Sequence, residues 1–68
     1  MKVGDIVKVG FGNNYYLAAI TEMDENEEMV RVKDLSQIED NIQPMRCVRK
    51  ATADDMTEEL RRIYGYYD

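Results

Sequence analysis

The stretch from Tyr15 to Leu35 constrains the fold more than any other part of the chain. It reads YYLAAITEM, then an acidic connection DENEE, then MVRVKDL. Two apolar runs alternate with polar residues and flank a polar link, the pattern of a β-hairpin. Successive side chains leave a strand on opposite faces. In the first arm Tyr16, Ala18 and Ile20 therefore share one face, and Tyr15, Leu17 and Ala19 share the other. In the second arm Val30 and Val32 oppose Arg31 and Lys33. A lone hairpin is marginal in water, so further strands must cover its apolar face.

The 68 residues allow one domain. A chain this short buries roughly 60% of its unfolded surface, so the core is thin. A five-stranded barrel or a three-helix bundle fits that size, and an enzyme with a deep cleft does not. Hydrophobic residues make up 44% and charged residues 34%, the balance of a folded globule. The longest purely apolar run, Leu17 to Ile20, is too short to span a bilayer. MKVGDIVKV alternates instead of forming the apolar stretch of a signal peptide. We therefore expect no membrane partner and a cytoplasmic location. The single cysteine, Cys47, has no disulfide partner and no metal-ligand spacing, and histidine is absent. No metal or cofactor is expected.

Along the chain, Val3 to Val9 reads as a strand with Val7 and Val9 inward and Ile6 on the other face, preceded by a Gly4-Asp5 turn. GFGNN (Gly10 to Asn14) is a loop or sharp reversal that carries Phe11 at its tip. Phe11 either folds back onto the barrel end or stands out as a contact aromatic. The Glu22 to Glu28 connection reads as a solvated hairpin tip, and it lacks the glycine of a calcium loop. In Asp34 to Pro44, Leu35, Ile38 and Ile42 stand at helical spacing, and Ser36 and Glu39 make a capping-box pattern. This predicts a short helical or 3₁₀ turn ended by Pro44. Met45 to Ala51 follows as a strand, with Met45 and Cys47 on one face and Arg46, Val48 and Lys50 on the other. From Thr52 the period changes. Met56, Leu60, Ile63, Tyr64 and Tyr67 form one helical stripe, acids lead, Arg61 and Arg62 close, and Gly65 stops it. The spacing predicts a helix over 53–64, packed on Ile6, Leu17, Ala19 and Val48. The expected fold is mainly β: a small barrel of about five strands over 2–51, with a short helical turn and a C-terminal α-helix, in one domain spanning 1–68.

These residues resemble an SH3-like barrel of the Tudor and KOW kind. VGDIVKV (Val3 to Val9) is similar to the strand that opens such barrels, YYLAAI (Tyr15 to Ile20) to their second strand, and MVRVKDL (Met29 to Leu35) to their third. The resemblance covers residues 3 to 50. Tudor domains hold methylated lysine or arginine in an aromatic cage by cation–π attraction. The resemblance places Tyr15 or Tyr16, with Phe11, at cage positions. It departs after Asp34, where Leu35 and Ser36 replace the aromatic and glycine of those domains. KOW-type modules often bind RNA, ribosomal or polymerase partners. The whole chain also resembles a family of small uncharacterised Bacillus prophage proteins. That implies a bacterial, phage-derived origin and no established activity.

The expected function is a non-catalytic module for protein–protein interaction, a monomer or weak dimer through its strand edges. Its candidate contact residues are Phe11, Tyr15, Tyr66 and Tyr67, with Tyr64 beside them, because tyrosine is enriched at interface hot spots. The bland reading makes Tyr16 and Tyr64 core residues. The alternative is a nucleic-acid binder using Arg31, Lys33, Arg46, Arg49 and Lys50, with tyrosines as stacking platforms. A net charge of −5 disfavours that partner. A further alternative treats the acids at 22–28, with Asp54, Asp55, Glu58 and Glu59, as an acidic mimic of nucleic acid. An enzyme is not expected: there is no histidine, Cys47 has no base beside it, and serine occurs only at Ser36.

Overall fold

The computed structural model describes residues 1–37 and 39–65. Five antiparallel strands form one sheet: β1 (Ile6–Phe11), β2 (Asn14–Asp24), β3 (Met29–Asp34), β4 (Asp40–Pro44) and β5 (Val48–Lys50). Their order is β4-β3-β2-β1-β5. A 3₁₀ turn, Met45–Cys47, joins β4 to β5, and a helix α1, Glu58–Tyr64, follows near the C-terminus. The architecture is mainly β and barrel-like, as the sequence pattern predicts.

The predicted hairpin is β2 and β3, paired through Ile20↔Val32 and Ala19↔Lys33. Its alternation holds until a bulge between Ile20 and Glu22. One extra residue there, Thr21, reverses the phase of β2. Ala18 and Ile20 face inward before the bulge, and Met23 packs against the same core after it. The interior collects Val7, Val9, Ala18, Ile20, Val30, Val32 and Val48, with Tyr16, Met23 and Met45 partly buried against them. The outer face carries a second cluster: Ile6, Ala51 and Met56, with Leu17, Ala19, Leu35 and Leu60 around them. The C-terminal segment packs on Ile6, Leu17 and Ala19 through Met56 and Leu60, while Val48, also expected beneath it, belongs to the interior cluster. Burying both faces of β1 is how so short a chain gains enough apolar burial.

Between Asp34 and Val48 four expectations are corrected. Asp40–Pro44 is strand β4 and not a helical turn. Leu35 and Ile42 stand at helical spacing by coincidence, since Ile42 pairs with Arg31 in the sheet. Ser36 does not cap a helix. Its N–H and hydroxyl both donate to the Asp34 carboxylate, at 2.9 and 2.7 Å, as in an Asx turn. Ile38 lies outside the described residues. The 3₁₀ turn comes after Pro44, so β5 starts only at Val48. That later start turns Val48 inward, opposite Val9, rather than outward beneath the helix.

The predicted 53–64 helix is two pieces. A 3₁₀ turn, Ala53–Asp55, ends at Met56, whose extended backbone (φ −117°, ψ 151°) drives its side chain into the outer cluster. Then α1 starts afresh: Thr57 accepts a hydrogen bond from the Leu60 N–H at 3.2 Å, and Gly65 closes the helix at φ 75°. Glu58 and Arg62 pair at 3.6 Å across one turn. Ile63 and Tyr64 are exposed, so the apolar stripe stops at Leu60 and Tyr64 is not core. At the other end, β1 begins at Ile6 and Val3 is exposed. No helix among the described residues is long and apolar enough to cross a membrane.

Candidate functional site: an aromatic cleft

The turn between β1 and β2 is short because Gly10 lets two backbones close on each other. Gly10 holds φ 130°, and a Cβ there would collide with the Asn14 carbonyl oxygen. Such a position excludes side-chain residues on both counts. The ladder then runs to its tip, Gly10↔Tyr15 and Phe11↔Asn14. The side chain of Arg49 donates to the Gly12 carbonyl at 3.3 Å and ties this tip to β5.

The tip overhangs an open cleft of about 400 Å³. Phe11, Tyr15 and Tyr16 border it from β1 and β2, and Gln43 and Cys47 from β4 and the 3₁₀ turn. Phe11 is 70% exposed, and Tyr15 is exposed as well. Tyr16 is half-buried against the barrel core, and its hydroxyl lies 3.4 Å from the Gln43 amide nitrogen that donates to it. Phe11, Tyr15 and Tyr16 thus all border this cleft, where the resemblance places Tyr15 or Tyr16, with Phe11, at cage positions. Cys47, expected inward as a small hydrophobe, is a half-buried free thiol at the cleft wall.

Tyr15 is held from the far side. The Lys8 ammonium lies 5.3 Å from its ring centroid, within cation–π range. The same ammonium bonds the Asp55 carboxylate at 3.2 Å, with both side chains largely buried. Asp55 in turn accepts from the Thr52 N–H at 2.8 Å and from its hydroxyl at 3.0 Å. The Asp55 pKa lies below the ordinary carboxylate value, chiefly through the Thr52 backbone hydrogen bond. Burial opposes this shift, and Lys8 adds to it. A line of contacts thus runs from the C-terminal segment through Lys8 to the cleft.

The five basic candidates do not form one face. Arg31 pairs with Glu22 at 3.4 Å, and Lys33 stands opposite Asp40 in the ladder. Arg49 and Lys50 lie on β5, separated from β3 by β1 and β2 in the sheet. Arg46 is exposed on the 3₁₀ turn. Tyr66 and Tyr67 lie outside the described residues. Among the described residues, no three Cys, Asp or Glu side chains are grouped to hold a metal ion.

Gln43, Lys8 and Asp55 were missed as site residues. Gln43 was hidden by the helical reading of its strand. A Pro at the end of a short polar stretch, typical of an edge strand, was the available signal. The Lys8–Asp55 contact joins residues far apart in sequence, and nothing local announces it.

No protein-family model matches this chain, and neither a curated protein nor a solved structure does so.

Proposed function

We propose that the chain is a non-catalytic SH3-like binding module that grips a segment of another protein in the aromatic cleft. The observation that carries this reading is the gathering of Phe11 and Tyr15, exposed, with Tyr16 and Gln43 around one open cleft. Aromatic side chains offer large area at low entropic cost, and the tyrosine hydroxyls and the Gln43 amide add directional bonds. The single five-stranded antiparallel sheet is compatible with the SH3-like reading. A phage-derived protein would meet a host or phage protein in the bacterial cytoplasm. The scattered basic residues and the net charge of −5 weigh against a nucleic-acid partner.

The test is a ¹H–¹⁵N titration of labelled protein, first with a mixed oligonucleotide pool and then with host protein fractions. Shifts at Gly10 to Tyr16, Gln43 and Cys47 in one protein fraction are the expected result. Phe11→Ser should weaken that binding by about thirtyfold, the effect of losing an aromatic hot spot. Salt-sensitive shifts at Arg46, Arg49 and Lys50 with the oligonucleotides would replace this reading with the nucleic-acid one.

A further inference from the structure

The C-terminal segment covers only part of the outer face of the sheet. Met56 and Leu60 cover Ile6, Leu17, Ala19 and Leu35. Beyond the β2 bulge the same face stays open, and the ladders align two cross-strand rows, Glu22–Arg31–Ile42 and Asp24–Met29–Pro44. Between them lies a groove of about 310 Å³. Its lining is apolar at Met29, Val30 and Ile42 and charged at Glu22, Asp24, Glu27 and Arg31. Ile42 is 55% exposed, although it sits on a strand and not at a loop tip. That strand, β4, is an edge of the sheet with β3 as its one neighbour.

We propose that this groove binds an extended protein segment in which lysine or arginine and an aliphatic side chain share one face, two residues apart. Three features select that occupant. The edge strand accepts an extended chain alongside it. The apolar lining at Met29 and Ile42 gains from covering by an aliphatic side chain. The charge is one-sided: Arg31 is matched by Glu22 at 3.4 Å, while among the described residues Asp24 and Glu27 are in no ion pair, the Asp24 carboxylate accepting only the Glu27 N–H at 3.2 Å. The acids of the adjoining turn, Glu25 and Glu28, add to the same field. This sign repels nucleic acid, and a net charge of −5 also disfavours a second copy of the chain. The site is separate from the aromatic cleft: Ile42 points outward with Arg31, and Gln43 lies on the opposite face.

The probe is a short blocked peptide with lysine and isoleucine taking turns at every second position and serine between them, titrated at low salt against labelled protein. A control peptide has serine in place of isoleucine. The isoleucine peptide should shift the amides of Met29, Arg31 and Ile42. Ile42→Ser, at an exposed position that the core does not need, should weaken binding by about fivefold or more. Glu27→Gln should weaken it by about threefold. Phe11→Ser should leave it unchanged, so failure here and failure of the aromatic cleft are read separately. The proposal is overturned if the serine peptide binds equally well, if the shifts fall elsewhere, or if no shift occurs. Shifts at Ile42 that grow with protein concentration alone would also overturn it and assign the groove to a second copy.

Discussion

At Gly10 the backbone and the neighbouring strand make the same demand. The φ of 130° suits glycine, and the Asn14 carbonyl occupies the place of a Cβ. Gly12, two residues on, has φ 58° and open space around its Cβ position. The two glycines therefore separate conformational strain from collision. Gly12→Ala should cost about 1 kcal/mol, the ordinary penalty of a left-handed alanine. Gly10→Ala should cost at least about 2 kcal/mol more, because the tip of β1–β2 must open. Urea denaturation reads the difference, and equal costs would show that the close approach to Asn14 does not matter. The glycine cluster itself was legible as a reversal that carries Phe11. Which glycine is indispensable was not, because that depends on a strand partner the local sequence does not name. Val48 makes the same point: its face followed from where β5 begins, and a 3₁₀ turn after Pro44 moved that start.

Elements were legible where an apolar period was imposed by burial. β2 and β3 alternate because one face meets the interior, and that alternation is written directly into the order of their residues. The strand β4 has no such imprint: every residue from Asp40 to Ile42 is exposed, and its one aliphatic side chain points outward. The C-terminal segment was half legible. Its start at Thr52 and the Gly65 stop were readable, but the fresh cap at Thr57 was not, and the break at Met56 serves packing on Ile6 and not local propensity. The turn before that break depends on Asp55. Its lowered pKa means that the charged form is favoured in the folded state, so the stability it gives is present above the ordinary value of 3.8 and is lost as pH falls through the lowered one. Asp55→Asn should therefore cost roughly 1 kcal/mol at pH 7. The gap from the parent should close as pH drops below 3.8, and the Tyr15 ring signals should shift as Lys8 is released. A gap that stays constant down to strongly acid pH would mean that the charge of Asp55 contributes nothing.

For the whole molecule, the two apolar clusters are joined through single strands. Ile6 and Val7 are adjacent on β1, are both fully buried, and point to opposite clusters. Neither cluster can be lost without exposing one face of β1. A domain of this length has a total stability of roughly 3–10 kcal/mol, so neither cluster has much to spare. Met56 is almost fully buried in the outer cluster, and Met56→Ala should cost about 2–3 kcal/mol. With a urea slope near 1 kcal/mol/M, that lowers the midpoint by about 2–3 M. The shift should be the same whether it is followed at Leu60 in the C-terminal segment or at Val30 in the barrel interior, since one cooperative transition links them. If Leu60 instead melts first while Val30 keeps its parent midpoint, the C-terminal segment is a separable cover. The Lys8–Tyr15 contact would then be switchable without unfolding the barrel, and the aromatic cleft would have two states.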